Sequence, residues 1–303
     1  MDAMEIYVSL DIGGTSIKYG VLDKQGCILE KSNKDTQAWQ GGTGIMEKVV
    51  RIVEDFREKY VLTGICISTA GMVDVEKGEV FYSAPLIPNY AGTKFKSVLE
   101  EHFAIPCEVE NDVNCAGLAE YISGAAMGSK SALCLTVGTG IGGCILFDGQ
   151  VLHGAGYCAG EIGYLHMEHS DFQTLGAASI LTEKVAGRKG RPKEEWSGQR
   201  IFKEAAEGDA ICIRAIDEMT EVLGKGIADI CYVIDPEVVV LGGGIMAQEE
   251  FLYPRIRDSL DRHLKPVLAE HTRIAFAKHR NDAGMLGAFY HFRQRRDTMQ
   301  DKR

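Results

Sequence analysis

Twice in this chain an apolar strand runs into a glycine turn and re-emerges as a second strand: "LDIGGTSIKYG" over residues 10–20 and "LTVGTGIGGCILF" over residues 135–147. Each pair then meets a further turn, at Lys24-Gln25-Gly26 and at Asp148-Gly149, so each reads as a hairpin meander that opens a sheet. Two such openings constrain the fold to two sheets. The echo is one of architecture, since the two stretches do not repeat each other's residues, and it points to two similar lobes.

What lies between the meanders alternates helix and strand. In "GIMEKVVRIVEDFREKYV", from Gly44, the residues Ile45, Val49, Ile52, Val53, Phe56 and Tyr60 fall on one helical face and the charges on the other. "LTGICISTAGMVD" reads as a buried strand entering a small-residue turn, and "TKFKSVLEEHFAIPCEVENDVNCAGLAEYI" as helix, short strand and helix. After the second meander come an irregular stretch from Gly154 to Ser179, a helix from about Asp209 to Tyr232, the buried strand "DPEVVVLGGGIM" and a closing helix in "DAGMLGAFYHFRQRR". The expected class is α/β with mixed sheets flanked by helices. The expected division is an N-terminal lobe over 1–118, to which a C-terminal helix over 287–303 returns, and a C-terminal lobe over 119–286.

Charge narrows the function classes. Lys and Arg total 33 against 43 Asp and Glu, a formal charge of −10, whereas nucleic acid and anionic membrane surfaces are held by an excess of Lys and Arg. No nucleic-acid or membrane partner is expected. The basic segment Gly187–Lys193 reads as a solvated loop, because "EEW" follows at once and no aromatic alternates with its charges. The nine cysteines form no C-x-C or C-x-x-C pair, and read as buried thiols. With no secretory leader and no apolar run of transmembrane length, the expected location is cytoplasmic.

A net-acidic chain can still grip an anion through backbone. Gly13 and Gly14, with Thr15 and Lys18 behind them, suit a phosphate, and Asp11 suits Mg²⁺, directly or through water. An ordinary hairpin turn is the alternative. Gly138, Gly140 and Gly143 match a dinucleotide fingerprint by letter, but that motif needs a following helix and "CILFDG" is strand-like; a second phosphate grip is the better account. Gly242–Gly244 end an apolar strand where bare backbone accepts an adenine or ribose. In "VENDVNCAGLAE", Glu110, Asn111 and Asp112 stand at a strand end before a helix. Asp112 is placed to take the proton of an attacking hydroxyl, the alternative being that Asn111 or Asp112 only caps the helix. Glu161, between glycines in "AGEIGY", suits a polyhydroxylated ligand or is a plain turn.

Taken in order, "LDIGGTSIKYG", "ISTAGMVD", "ENDVNCAGLAE", "LTVGTGIGG", "GEIGY" and "LGGGIM" resemble the bacterial ROK sugar kinases over essentially the whole chain. The resemblance implies an actin-like (ribonuclease H-like) ATPase fold with two α/β lobes and an active-site cleft between them. It implies ATP-dependent phosphorylation of a hexose, usually on the 6-hydroxyl, in a homodimer using Mg²⁺. Carried over by position, Asp11, Gly13, Gly14, Thr15 and Lys18 match the first phosphate motif, Gly138, Thr139 and Gly140 the second, and Gly243 and Gly244 the adenosine motif. Asn111 and Asp112 match the sugar-binding pair whose Asp is the base, and Gly71 and Glu161 match further sugar-site positions.

The chain departs from the family where relatives carry "GEIGH" and a cysteine-rich zinc motif ending in "GCLE". The histidine position is Tyr164, at the edge of the expected sugar site, and "HMEHSDFQTLGAAS" has no cysteine, so no zinc site is expected. Aligning "QTLGAAS" with that motif puts Gly176 where relatives carry a sugar-contacting Glu. The expectation is opened volume near the anomeric end and a substrate that includes β-glucosides or disaccharides beside glucose and N-acetylmannosamine. The alternatives are a non-catalytic sugar or nucleotide binder and a sugar-responsive regulator; regulators of the family add an N-terminal helix-turn-helix, for which the ten residues before Asp11 leave no room.

Overall fold

A computed structural model describes residues 5–301, with side chains as far as residue 297. The opening meander forms as three antiparallel strands, β1 (Ile6–Ile12), β2 (Ser16–Asp23) and β3 (Ile28–Asp35). Helix α1 (Gly41–Arg57) follows. It begins before the expected Gly44 because Gly41 and Gly42 are not breakers here. A Cβ on Gly41 would come within 2.6 Å of the Pro88 carbonyl, and one on Gly42 within 2.3 Å of Thr93 Oγ1, so bare backbone lets the first turn pack closely.

Next come β4 (Leu62–Thr69), β5 (Met72–Asp74), β6 (Glu79–Tyr82), β7 (Thr93–Lys94), α2 (Phe95–Phe103), β8 (Cys107–Asn111) and α3 (Asp112–Ser123). The second meander is β9 (Ser131–Val137), β10 (Ile141–Phe147) and β11 (Gln150–Val151). The stretch read as irregular contains a small hairpin, β12 (His166–Met167) and β13 (Ser170–Asp171), then α4 (Phe172–Gly176) and α5 (Ala178–Lys189). The rest is α6 (Gly198–Ala206), α7 (Ala210–Ile234), β14 (Val238–Gly242), α8 (Glu249–His263), α9 (Pro266–Ala269), β15 (Arg273–Phe276) and α10 (Ala283–Asp301). Helix α10 starts at Ala283 rather than at 287, and residues 302–303 of the expected helix lie outside the described residues.

The two large sheets share one plan. The first is ordered β3-β2-β1-β4-β8 and the second β11-β10-β9-β14-β15. In each, an antiparallel meander is extended from its first strand by two parallel strands. The chain divides into two compact units, one holding the chain up to Ala119, His153–Cys158 and the chain from Asn281, the other holding Glu120–Leu152 and Ala159–Arg280.

In the first unit, period-two alternation sends Ile6, Val8, Leu10 and Ile12 of β1 into a core with Ile45, Val49, Ile52, Val53 and Phe56 of α1;. The intervening residues face the other way. There Tyr7 joins Cys115 and Ala119 of α3 and Leu286, Phe289 and Phe292 of α10, while Ser9 Oγ donates to the Met285 carbonyl at 2.8 Å. Asp11 shares that alternation. The second unit centres on α7, whose Ala215, Ile216, Met219, Leu223 and Ile227 pack with Leu133, Leu135, Val239 and Leu241 of the sheet.

The basic segment is not a solvated loop throughout. Arg188 and Lys189 close α5; Arg188 pairs with Glu218, and Lys189 bridges Glu204 and Asp209 while lying 5.0 Å from the Trp196 ring centroid. Its charges are consumed by neighbouring carboxylates, which a linear reading cannot see. Seven of the nine thiols are buried, and Cys27 and Cys158 are exposed. No helix among the described residues is long and apolar enough to cross a membrane.

Candidate functional site

In the first unit the glycine turn joins β1 to β2. Register places Asp11 opposite Lys18 on β2 and beside Ser68 on β4. Ser68 Oγ donates to Asp11 Oδ1 at 2.7 Å, and Lys18 Nζ lies 3.5 Å from Oδ2. Lys18 is thereby drawn to Asp11 and lies on the strand that leaves the turn. The turn itself is braced: Gly13 N–H donates to the Ser16 carbonyl, Thr36 Oγ1 donates to the Gly13 carbonyl at 2.7 Å, and Thr36 N–H to that of Thr15. Leu86 lies over Gly14, where an added Cβ would sit 2.4 Å from its Cδ2.

At the end of β8, in the same unit, Asn111 and Asp112 hold each other. Asn111 Nδ2 donates to the Gly71 carbonyl at 2.9 Å and to Asp112 Oδ1 at 3.0 Å. Asn111 Oδ1 accepts from the N–H groups of Val113 and Asn114, and Asp112 Oδ1 from that of Val113. Asn111 therefore caps α3, and the same side chain holds the Asp112 carboxylate through its Nδ2;. Gly71 has φ 97°, and a Cβ there would come within 2.8 Å of the Tyr82 carbonyl; its role in this unit is a backbone acceptor aimed at Asn111. Tyr90 and Thr69 share a hydroxyl–hydroxyl bond behind the pair, and burial, with the Asp112 charge nearby, raises the Tyr90 pKa.

In the second unit the Gly138-Thr139-Gly140 turn joins β9 to β10, closed by Gly138 N–H to the Gly140 carbonyl at 2.9 Å. Ser179, in the first turn of α5, donates its hydroxyl to the Thr139 carbonyl at 2.6 Å and its N–H to that of Gly138. Gly243, at φ 108°, meets this turn so closely that a Cβ would lie 2.2 Å from the Val137 carbonyl. The two glycine turns that the family resemblance matched to phosphate and to adenosine thus adjoin. Added Cβ atoms on Gly138 and Gly244 would meet nothing within 4 Å, so open space lies beside their backbone.

Glu161 precedes a 3₁₀ turn over Ile162–Tyr164. It is exposed as a residue, yet partial burial of its carboxyl raises its pKa from the ordinary value. The loop is pinned to β10 at bare-backbone distance, since a Cβ on Gly160, at φ 91°, would lie 2.4 Å from the Gly143 carbonyl. Half-exposed Tyr164 borders an open depression of about 620 Å³ with His166, Met167, His169, Ser170 and Asp171. Among the described residues, the set of three potential metal ligands within mutual reach is elsewhere, at Glu204, Asp209 and Cys212, where the Lys189 ammonium already bonds both carboxylates.

Gly176 is not at a ligand surface. It is buried, and a Cβ there would lie 3.0 Å from Val222 Cγ1 and 3.3 Å from Ile141 Cδ1. The volume expected from the missing carboxylate is core, filled by α7 and β10. The polar group in this stretch is instead Gln173, whose Oε1 would stand 2.6 Å from a Cβ on Gly140 and 3.0 Å from one on Gly163. Gln173, Ser179 and Ser68 were not singled out from sequence. Ser68 had a detectable signal, a polar residue inside the buried strand "ICIST"; Gln173 had none.

A family model described as the ROK family matches residues 7–295. A β-glucoside kinase of Listeria monocytogenes is 33% identical over 294 residues, covering 94% of this chain and 97% of that protein. A glucokinase of Halalkalibacterium halodurans is 28% identical over 321 residues, covering 97% of each. Among solved structures, a ROK family glucokinase from Streptomyces griseus in complex with glucose and AMPPNP superposes with a TM-score of 0.83 at 26% identity, covering 95% of this chain and 99% of that one. The α/β fold of the actin-like ATPases that the motifs implied is the fold observed. With its motifs, its paired sheet plan and a family match over nearly its full length, the chain belongs to the ROK family.

Proposed function

We propose that the chain is an ATP-dependent sugar kinase that transfers the γ-phosphoryl group to a hexose hydroxyl, the 6-hydroxyl of glucose, of N-acetylmannosamine or of a β-glucoside. The observation that carries this reading is the Asp112 carboxylate, held at the first residue of α3 by Asn111 Nδ2 and the Val113 N–H, where its orientation does not depend on a flexible side chain alone.

Nucleotide and metal fit the residues present. In the second unit the open faces of Gly138 and Gly244, with Thr139, Gly140 and Gly243 beside them, suit phosphate and ribose or adenine; in the first, the backbone of the Gly13–Thr15 turn suits phosphate. Asp11, steadied by Ser68, offers the single carboxylate typical of Mg²⁺ bound chiefly through phosphate and water. When bound, Mg·ATP supplies the phosphoryl group and offsets its negative charge. The chain's own residues do the rest. Asn111, with Gly71 behind it, in the first unit and Glu161 and Tyr164 in the second are the residues we assign to the sugar. Asp112 accepts the proton of the attacking hydroxyl, the general-base part of phosphoryl transfer.

The test is a coupled ATP-consumption assay with glucose, N-acetylmannosamine, cellobiose and aryl β-glucosides, with the product identified by mass and NMR. Phosphorylated product is expected from at least one of them. Asp112→Asn is expected to lower turnover by roughly 10²- to 10⁴-fold with sugar binding retained. Absence of phosphorylation across the panel, or near-wild-type turnover by the variant, overturns the reading.

A further inference from the structure

Directly behind Asn111 and Asp112 lies a buried carboxylate that the proposed chemistry does not use. Glu110 is fully buried. Its Oε1 accepts from the Asn111 N–H at 2.8 Å and from Asn114 Nδ2 at 3.0 Å. Its Oε2 lies 2.6 Å from His153 Nε2 and 3.4 Å from His291 Nδ1. Burial by itself pushes the Glu110 pKa up, but the His153 hydrogen bond, the electrostatic influence of His291 and His153 and the Asn114 hydrogen bond together outweigh it and leave it below the ordinary value. Glu110 is therefore an ionised acceptor, and His153 Nε2 must carry the hydrogen.

His153 reaches this position from an unusual place in the chain. It follows the short strand β11 and opens the segment His153–Cys158, which belongs to the first unit although the residues before and after it belong to the second. The segment is seated at several points: the His153 ring stands edge-on to Tyr157, with centroids 6.3 Å apart, Tyr157 packs on the first unit's core at φ 56°, and Cys158 Sγ lies 3.6 Å from Met72 Sδ. His153 is about one-quarter exposed, while His291 is buried, and burial pushes the His291 pKa down to about 4. His291 is thus neutral near pH 7 and its 3.4 Å contact is the weaker one. His153 is the strong donor to Glu110.

We infer that His153 is a positioning residue: through Glu110 it fixes the β8–α3 junction, and with it the orientation of Asn111 and Asp112. The inference rests on reading Asp112 as the base. A carboxylate whose two oxygens are divided between His153 on one side and the Asn111 N–H and Asn114 amide on the other acts as a clamp. Without the donor at Oε2, a buried charge loses its strongest partner, and Glu110 must turn to recover one, releasing the Asn111 N–H and Asn114. The base and the Asn111 amide bonded to it would then swing together by a fraction of an ångström, while the glycine turns proposed for the nucleotide stay intact.

The experiment uses the full chain with His153→Phe, which keeps ring volume against Tyr157 but has no donor, and His153→Gln, whose amide restores one. In steady-state kinetics with the best acceptor, His153→Phe is expected to lower kcat about 30- to 100-fold, with KM for ATP changed by no more than about twofold. His153→Gln is expected to recover most of the loss. In native hydrogen exchange, the Asn111 and Asn114 amides are expected to exchange at least about tenfold faster in His153→Phe and to be protected again in His153→Gln, with exchange in β1 and β4 unchanged. If His153→Phe does not fold, His153→Asn, whose shorter amide falls short of Glu110, replaces it in the same comparison. Wild-type kcat in the donor-less variant, a KM for ATP that changes in parallel with kcat, or unchanged exchange at Asn111 and Asn114 overturns the inference. Should the wild-type chain phosphorylate no sugar, the kinase reading fails, and the exchange measurement still decides whether His153 holds the junction.

Discussion

Gly284 and Asp11 stand at a distance that only a glycine permits: a Cβ on Gly284 would lie 2.3 Å from the Asp11 carboxyl carbon and 2.4 Å from Oδ1. Gly284 is the second residue of α10, so the helix N-terminus closes onto the carboxylate, where its dipole favours negative charge. Gly284→Ala should displace Asp11 while leaving the helix intact, since alanine is the better helix former by about 1 kcal/mol. The expected outcome is a fall in kcat/KM for Mg·ATP of about 10- to 100-fold, with the circular dichroism and unfolding midpoint close to wild type. Activity retained in full would remove Asp11 from the proposed metal site.

Acid should destabilise the first unit in two stages. His291 is held neutral by burial, with its pKa lowered from 6.5 to about 4. In the unfolded chain it binds a proton below about pH 6.5, whereas in the folded chain it does so only near its lowered value. The unfolded state therefore binds more protons in this window, and stability falls as pH drops through it, by an amount on the order of 3 kcal/mol. Glu110, whose pKa is lowered from 4.5, follows at lower pH: its contribution is present above its unfolded value and is lost as pH falls through its folded one. Urea midpoints measured from pH 7 to pH 4 should decline, and His291→Phe should flatten the upper part of that decline. Because His291 Nε2 has no partner among the described residues, the substitution is expected to cost little at pH 7. An unchanged slope in the variant would assign the acid sensitivity to other groups.

How much of this was legible in the residues depends on how local the cause was. The β1–β2 turn, the second meander and the α1 face from Ile45 to Phe56 are set by glycine placement and periodicity within about a dozen residues, and they formed as read. The Asn111–Asp112 junction was legible too, because a strand end, a cap and a carboxylate are adjacent in sequence. What failed or was missed involves partners far away. Gly176 looked like a vacated ligand position, yet Val222 and Ile141 occupy the space beside it. Arg188 and Lys189 looked solvated, yet Glu218, Glu204 and Asp209 meet them across 15 to 30 residues. His153 carries no local mark at all, since its importance comes from Glu110, 43 positions earlier.

Gly176→Glu should act on stability rather than on acceptor choice. The residue is buried against Val222 and Ile141, so a glutamate there would be an unpaired carboxylate in an apolar core, a change that costs several kcal/mol or forces the group to be protonated. The expected outcome is a marked fall in the thermal midpoint, with the ratio of glucose to β-glucoside turnover unchanged in whatever protein remains folded. A variant that keeps its stability and changes its acceptor preference would restore the reading of this position as part of the sugar surface.

Gly140 and Gln173 should behave as a coupled pair. The Gln173 carboxamide fills the space that a side chain on Gly140 would take, 2.6 Å from the ideal Cβ, and also abuts Gly163 in the loop that carries Glu161. Gly140→Ala must push the amide aside, and with it the Gly138–Gly140 turn that Ser179 holds or the Ile162–Tyr164 turn. Its kcat/KM for ATP is expected to fall about 10- to 100-fold. Gln173→Ala removes bulk without adding a clash, and its effect should be smaller. Combining the two frees the space for the new methyl group, so the double variant should be more active than Gly140→Ala alone, a coupling of about 1 kcal/mol or more in a double-mutant cycle. If the two losses simply add, the amide is not what makes glycine necessary at position 140, and the requirement for bare backbone there belongs to the ligand side of the turn.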